Sequence, residues 1–246
     1  MDEEQLLRYC LRFFGYGQPN ALWAYIGMEE WGCREIGEAI ARLNAWHALG
    51  EPMPAVNLLE FHNQLYPVVG PIAAVGPNQT WEFLIRIRLA AEGEEPTPEA
   101  IHEYPNNQLG NENGSNSLLE FMPLPCPSIR AWPWPKWCNV EATKTAYVRR
   151  LAPTRILGLQ NIVNQQHNPR VVIFYGKSYH NCWLQIVGLE QMEDIPGFEG
   201  RAQWAQRDGK LFVSTWHPGG IRRIPKDVDA FARGLGEWIG EHLPAD

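Results

Sequence analysis

The chain lacks any long hydrophobic run. No apolar stretch approaches the roughly eighteen residues that a membrane-spanning helix needs. The acidic start M-D-E-E is unlike the positively charged start of a secretory signal peptide. We therefore expect a soluble cytoplasmic protein with no membrane partner.

The cysteines lack the spacing of a disulfide framework or a metal site. The chain has five of them, an odd number, and none forms a C-x-x-C pair. They are widely spaced along the chain: Cys10, Cys33, Cys126, Cys138 and Cys182. The pattern favours reduced thiols in the cytosol.

Positive charge is also scarce, since 21 Lys and Arg residues face 28 Asp and Glu residues, a net charge of −7. This balance argues against a protein that coats nucleic acid, although a small basic rim could still engage DNA. One basic group lies at residues 222–226 and is interpreted as phosphate-contacting. A second, formed by Arg149, Arg150 and Arg155, is interpreted as a solvated helix face.

The composition is that of a globular protein, 45% hydrophobic and 20% charged. A length of 246 residues fits one large α/β domain over 1–246. Residues at about 92–115 have no periodicity and predict a surface loop. The segment 123–140 holds Pro and Trp throughout, so we expect a semi-rigid loop there. Its indole rings either cover a sheet edge or stack against bases.

Apolar runs and helical spacing alternate along the rest of the chain, which predicts a parallel sheet with connecting helices. The predicted strands are 22–27, 117–122, 171–175 and 211–215. The predicted helices are 3–14, 33–49, 55–66, 79–91, 141–167 with an interruption near Pro153, a helix from Ser178, and 226–242. Residues 193–209 are predicted to be a loop.

Two of the predicted strands end in residues with catalytic chemistry. The first, L-W-A-Y-I-G-M-E-E-W-G at 22–32, stops at a glycine and two carboxylates. The last, L-F-V-S-T-W-H-P-G-G-I-R-R at 211–223, stops at a histidine and two arginines. In an open α/β sheet, ligands bind outside the carboxyl ends of the strands. A carboxylate facing a histidine there can orient water on one side and stabilise a leaving group on the other.

This arrangement resembles the uracil-DNA glycosylase superfamily. Its first motif resembles Gly27-Met28-Glu29 of this chain. Its last motif resembles His217-Pro218-Gly219-Gly220-Ile221. Asn116 resembles its base-reading asparagine, and V-V-I-F-Y-G-K at 171–177 its penultimate strand with the following glycine. The resemblance implies a three-layer α/β/α sandwich with a central parallel four-stranded sheet.

The resemblance also implies roles for individual residues. Glu29 stands where the family has its water-positioning Asp or Asn, with Glu30 as its competitor. His217 would stabilise the leaving pyrimidine anion, and Asn116 would pair with the base edge. Trp31 stands where an aromatic excludes a 5-methyl group. Gly27 and Met28 complete the substrate pocket.

The loop that begins at His217 is implied to meet DNA. Ile221 would fill the gap left by a flipped nucleotide. The residues implied to contact DNA are Gly219, Gly220, Ile221, Arg222, Arg223 and Lys226.

We therefore expect a monomeric DNA glycosylase that hydrolyses the N-glycosidic bond of uracil or of a modified pyrimidine, such as a hypermodified cytosine of phage DNA. The role would be repair in the first case and antiviral defence in the second. The alternatives are an inactive member that binds nucleic acid or nucleotides, and a small-molecule nucleoside hydrolase or transferase. Some relatives bind an iron–sulfur cluster, and Cys126 and Cys138 lie in a comparable segment, but the usual N-terminal cysteine pair is missing. No cofactor or metal is expected.

Overall fold

One mixed sheet organises the chain. The computed structural model describes residues 2–18, 20–66, 77–128, 130–164, 169–218 and 227–244. Its strands are β1 (Gly15–Gly17), β2 (Trp23–Trp31), β3 (Ala55–Val56), β4 (Asn116–Cys126), β5 (Val171–Tyr175), β6 (Glu193–Asp194), β7 (Ala202–Arg207) and β8 (Lys210–Thr215). They are ordered β3-β1-β4-β2-β5-β8-β7-β6. The protein is therefore α/β, and the sheet has more strands than the four expected from the sequence.

The middle of the sheet consists of strands that pair in parallel. β2 pairs with β4 on one side and with β5 on the other, and β5 pairs with β8. Every residue of β5 and β8 is buried. Such uninterrupted apolar runs are typical of parallel strands whose two faces are both covered by helices. The short flanking strands β1 and β7 pair antiparallel with β4 and β8.

Helices connect these strands. Their bounds are α1 (Glu3–Arg12), α2 (Ile36–Ala48), α3 (Leu58–Leu65), α4 (Gln79–Ala91), α5 (Pro98–Asn107), α6 (Lys144–Val163), α7 (His180–Val187) and α8 (Val228–Glu241). Side chains of Asn57, Asn78, Thr97, Thr143 and Asp227 accept hydrogen bonds from the first free amides of their helices. No helix in the described ranges is both long enough and apolar enough to cross a membrane.

Local signals predict several elements correctly. The strand at 171–175 and the helix at 79–91 have the bounds expected from the sequence. The helices α2 and α8 differ from their predictions by a few residues at each end. In these segments hydrophobic periodicity and caps agree with the tertiary environment, so local reasoning suffices.

The prediction of loops at 92–115 and 193–209 is wrong in part. Residues 98–107 form α5, because Thr97 caps the helix and Pro98 suits its first turn. Residues 193–194 and 202–207 are strands, and a tight turn at Asp208 and Gly209 joins β7 to β8. Both turn residues have positive φ, of 51° and 71°. Asp-Gly is a strong signal for such a hairpin, and the sequence analysis overlooked it.

The expectation that proline keeps 123–140 out of the sheet is also wrong for its first residues. β4 continues through Pro123 and Pro125 to Cys126. Its pairing with β1 stops at Leu119, so beyond that point β2 is its only strand neighbour among the described residues. Proline is tolerated on a strand side that needs no amide donor.

The three tryptophans that follow β4 pack into the protein. Trp134 is buried, and its indole N–H donates to the carbonyl of Pro125 at 3.0 Å. Trp137 meets the Trp134 ring edge-on, with centroids 5.6 Å apart. Trp132 lies 4.6 Å from the ring of Tyr147. These contacts favour the interpretation that the indole rings cover the protein interior, and not that they stack against bases.

Helix α6 is uninterrupted at Pro153, contrary to the prediction. Pro153 lies on the exposed face, where water can bind the Arg149 carbonyl that loses its helical partner. The same helix corrects the prediction for its basic group. Arg149 and Arg150 are exposed, but Arg155 is fully buried.

The Arg155 guanidinium ties α6 to β4 and to the end of α1. It donates to the carbonyls of Phe121 at 2.8 Å, Glu120 at 2.6 Å and Phe13 at 2.8 Å. It also lies 3.7 Å from the centroid of the Phe14 ring. Burial lowers the pKa of Arg155 to about 10, and the guanidinium remains charged at neutral pH.

Replacing Arg155 with alanine should destabilise the protein strongly. Three buried carbonyls would lose their donor, and an unsatisfied buried polar group costs about 1–3 kcal/mol. We expect the free energy of unfolding in urea to fall by about 3 kcal/mol or more. Arg149→Ala, on the exposed face of the same helix, should change it by about 0.5 kcal/mol or less. Similar changes in the free energy of unfolding for the two variants would contradict this role for Arg155.

Candidate active site

The first motif lies inside a strand and not after it. β2 continues past Gly27 to Trp31, because β4 extends alongside it and pairs Glu29 with Met122 and Trp31 with Cys126. The prediction that this strand ends at Gly27 is therefore wrong. The register shifts between Glu29 and Trp31, which marks a β-bulge. Bulges redirect side chains next to sites.

Glu29 is nearly buried and is paired with a lysine. The ammonium of Lys144, the first residue of α6, donates to Glu29 Oε1. Glu29 Oε2 is buried and has no hydrogen-bond partner within the described ranges. Burial raises the pKa of Glu29, and the Lys144 hydrogen bond and charge oppose that rise. The pair therefore leaves one carboxylate oxygen of Glu29 for a further donor.

Glu30 has a different set of partners. Its carboxylate accepts from the Tyr16 hydroxyl at 2.8 Å and from the Arg42 guanidinium at 2.6 Å. Arg42 belongs to α2 and Tyr16 to β1. Both carboxylate oxygens of Glu30 are thus already bound. These contacts favour a structural role for Glu30 and leave Glu29 as the stronger candidate to position water.

A glycine is required at position 27 because two polar side chains lie against it. A Cβ built there would lie 2.5 Å from the Tyr175 hydroxyl and 2.6 Å from Glu120 Oε2. Gly27 pairs with Glu120 across the β2–β4 ladder. Tyr175 ends β5, and its register partner Thr215 ends β8. The cluster thus lies at the level where β5 and β8 stop.

Glu120 is an ionisable group buried in an otherwise apolar strand segment. The Tyr175 hydroxyl donates to its Oε1 at 3.4 Å, and its Oε2 has no hydrogen-bond partner in the part of the chain that the structure describes. Burial raises its pKa well above the usual range, and the charges of Glu30 and Glu29 raise it further. These effects favour the neutral carboxylic acid over the carboxylate.

His217 follows β8 at the same end of the sheet. Its imidazole lies 5.8 Å from the ring of Tyr175, centroid to centroid. Burial lowers its pKa, so His217 is neutral at pH 7. A neutral imidazole can donate one hydrogen bond to a developing oxyanion. Neighbouring strands thus bring Glu29, Glu120, Tyr175 and His217 to one end of the sheet.

Met28, the other residue of the first motif that was expected to line the pocket, packs against the residue that follows β5. Met28 lies against Gly176, where a Cβ would come within 2.7 Å of its side chain. Gly176 has a φ of +113°, which also favours glycine. The side chain of Trp31 is outside the described part of the structure. So are the residues implied to contact DNA: Gly219, Gly220, Ile221, Arg222, Arg223 and Lys226.

Asn116 lies at the opposite end of the sheet from this cluster. It is the first residue of β4 and pairs with Trp23, the first residue of β2. It is fully buried, its amide oxygen accepts from the Gly110 amide at 3.1 Å, and its amide nitrogen donates to the Tyr104 hydroxyl at 3.0 Å. The structure therefore does not bring Asn116 to the other candidate site residues, and its contacts are those of a buried structural amide.

Sequence reasoning overlooked three residues of the cluster. Glu120 is a single carboxylate in the apolar run L-L-E-F-M, and a charge in a buried strand is costly without a specific reason. That signal could have identified it. Tyr175 reads as an ordinary strand residue, and Lys144 as an ordinary helix residue. Only the fold brings Lys144 to Glu29.

The described residues give no support to a metal-bound interpretation. All five cysteines are free, and burial raises the pKa of Cys126 to about 12, which disfavours its thiolate. Within the described ranges, no group of three or more His, Cys, Asp or Glu residues could hold a metal ion. A cavity of about 520 Å³ lies between α1, residues 139–141 and α6, lined by Leu6 and Tyr147 among others. Its lining includes no member of the Glu29–His217 cluster.

Comparison with known proteins gives no assignment. No protein-family model matches the chain, and no curated protein sequence matches it. The class that the fold itself defines is an α/β protein with a mixed sheet.

Gly27→Ala should destabilise the protein, because the added methyl group overlaps both Tyr175 and Glu120. Overpacking a filled site typically costs about 1–3 kcal/mol, measured here as the loss in free energy of unfolding in urea. Gly37→Ala is a matched control in the first turn of α2, where the nearest atom to a new Cβ is 3.7 Å away. It should stabilise the protein by about 0.5–1 kcal/mol. A Gly27→Ala variant as stable as the parent would mean that the side chains of Tyr175 and Glu120 can move away from the added methyl group.

The buried acid predicts a pH dependence of stability. The folded-state pKa of Glu120 lies above the usual value of 4.5. Its full contribution to the free energy of unfolding is therefore present below pH 4.5. The contribution is then lost as pH rises toward the folded-state pKa, because the unfolded state releases the proton first. The free energy of unfolding of Glu120→Gln, relative to the parent, should therefore increase between pH 4.5 and 8. The exposed control Glu60→Gln should show no such increase. A constant difference for Glu120→Gln would contradict a neutral Glu120.

Proposed function

We propose that this protein is a DNA glycosylase of the uracil-DNA glycosylase type, which hydrolyses the N-glycosidic bond of uracil or a modified pyrimidine. The observation that carries the proposal is that β2 and β8 place Glu29 and His217 toward the same end of the sheet, with a buried oxygen of Glu29 that has no hydrogen-bond partner among the described residues. The parallel order β4-β2-β5-β8 supports the superfamily's central four-stranded sheet, and the complete burial of β5 and β8 supports the three-layer form.

The chemistry assigns the two residues complementary roles. Cleavage of the N-glycosidic bond leaves an oxocarbenium-like sugar, which a nearby carboxylate stabilises while it orients water. The hydrogen bond and charge of Lys144 favour the ionised form of Glu29 and oppose the effect of its burial. The neutral His217 would donate to the oxygen on which the leaving pyrimidine accumulates negative charge. Neither role requires a metal ion.

The DNA side of the proposal rests on the sequence alone. Ile221 is proposed as the wedge beside the flipped nucleotide, and Arg222, Arg223 and Lys226 as phosphate contacts. These residues follow His217 directly in the chain, so they would meet the DNA strand that enters the site. The partner is proposed to be DNA, engaged by a monomer.

A second candidate function has one observation in its favour. The Lys144–Glu29 ion pair occupies part of the carboxylate that should handle water. This pairing favours a member of the same fold that binds nucleic acid or nucleotides without cleaving them. Base release is the property that separates the two candidates.

An oligonucleotide panel tests the proposed activity. Single- and double-stranded DNA carrying uracil, cytosine, 5-hydroxymethylcytosine or glucosylated cytosine is incubated with the protein. Free base and abasic sites are then measured. Release of any of these bases supports the glycosylase. If DNA is bound but no base is released, the binding protein is the better account. Release from free nucleosides only would indicate a nucleoside hydrolase.

Substitutions at the two catalytic candidates should lower the single-turnover rate of base release. Loss of one well-placed electrostatic group costs on the order of 100-fold in rate. We expect losses of this size for Glu29→Gln and His217→Ala, with folding retained. Glu30→Gln should instead lower stability, because it breaks the pair with Arg42. Suppose instead that Glu29→Gln releases base at the parent rate, while Glu30→Gln loses more activity than its unfolded fraction explains. That result would identify Glu30 as the residue that positions the water.

A further inference from the structure

Glu120 holds an unused hydrogen-bonding group in the middle of the candidate site. Its Oε2 is buried and has no partner among the residues that the structure describes, although the residue keeps 9% of its surface exposed. A buried polar atom without a partner costs free energy, which a ligand could recover. Glu120 occupies the strand neighbouring β2, opposite Gly27 and beside Tyr175. Asn116, the residue first expected to read the base, is four residues away at the other end of the same strand.

We propose that Glu120 reads the edge of the flipped pyrimidine and that it does so as an uncharged carboxylic acid. This inference rests on the proposed function and specifies how that site recognises its base. Tyr175 donates to Oε1, which makes Oε1 the acceptor and leaves the proton on Oε2. The group therefore offers one donor and one acceptor side by side.

Pyrimidine bases carry the complementary pattern. Uracil presents the N3–H donor beside the O4 acceptor, and cytosine presents the N3 acceptor beside its N4 amino donor. In both cases Oε2–H would donate to the acceptor atom, and Oε1 would accept from the donor atom. A carboxylate has two acceptors and would repel O4 of uracil or N3 of cytosine. Recognition by Glu120 thus requires the proton.

Several groups around Glu120 decide whether it keeps that proton. From β2, the negative charges of Glu29 and Glu30 favour the neutral form. From β5, the Tyr175 hydroxyl donates to the carboxyl group, and from α6 the Arg155 charge acts in the same direction, toward ionisation. Burial is the largest of these effects and favours the protonated form.

The test compares Glu120→Gln and Glu120→Leu with the parent across pH 6–10. Glutamine keeps one donor and one acceptor at every pH, whereas leucine has neither. The probes are oligonucleotides that carry uracil or cytosine for base release. Binding is measured with 2′-fluorinated deoxyuridine or deoxycytidine, whose N-glycosidic bond resists cleavage, against a tetrahydrofuran abasic analogue. Glu60→Gln is the surface control.

We expect the parent to lose base release and its binding preference for the base-containing probe at alkaline pH. Glu120→Gln should keep both at alkaline pH. Glu120→Leu should lose on the order of 10- to 100-fold in preference at every pH, the discrimination that a paired base edge provides. A merely structural Glu120 would change stability but not the pH at which preference is lost.

The outcomes separate this inference from the proposed function. If the parent releases no base but its binding preference follows Glu120 as described, the glycosylase proposal fails and the reading role stands. If base is released and Glu120→Gln keeps the same alkaline loss as the parent, the reading role is overturned and the glycosylase stands. Parent-like preference in Glu120→Leu would also overturn it.

Discussion

Two buried carboxyl groups constrain the whole end of the sheet. Glu29 and Glu120 lie on neighbouring strands, close enough for the charge of one to raise the pKa of the other. A buried charge needs a partner, and a buried pair of like charges is worse still. The structure meets this constraint in two ways. Glu29 is paired with Lys144, and burial beside the Tyr175 hydroxyl shifts Glu120 toward its protonated form.

Residues around the two carboxyl groups also accommodate their burial. Gly27 has no side chain, and this absence leaves room for the Glu120 carboxyl and the Tyr175 hydroxyl. Arg155 binds the backbone carbonyl of Glu120 from the opposite direction and fixes β4 to α6, the helix whose first residue is Lys144. The strand that carries the neutral acid and the helix that carries the cation are therefore held together. Pre-organisation of this kind lets a site use electrostatics without reorganising at the moment of reaction.

The two carboxylates of the first motif have different partners. Glu30 joins β2 to β1 and α2 through Tyr16 and Arg42. Among the described residues, Glu29 is bound by the lysine and retains an oxygen without a hydrogen-bond partner. Adjacent strand residues point to opposite faces, so two neighbouring carboxylates reach different surroundings. The choice between them, open in the sequence, follows from this geometry.

Sequence alone determined the elements in which local signals were consistent. The apolar run at 171–175 and the capped, periodic segment at 79–91 have their predicted bounds, and the parallel topology places Gly27, Glu29 and His217 toward the same end of the sheet. Only the tertiary structure decided which residue of β4 belongs to the site. Asn116 and Glu120 are four residues apart, about 13 Å along a strand. Which of them reaches the carboxyl end depends on register with β2 and on a strand that continues through two prolines to Cys126. Register and strand length are set by pairing with distant segments, so no local pattern could specify them.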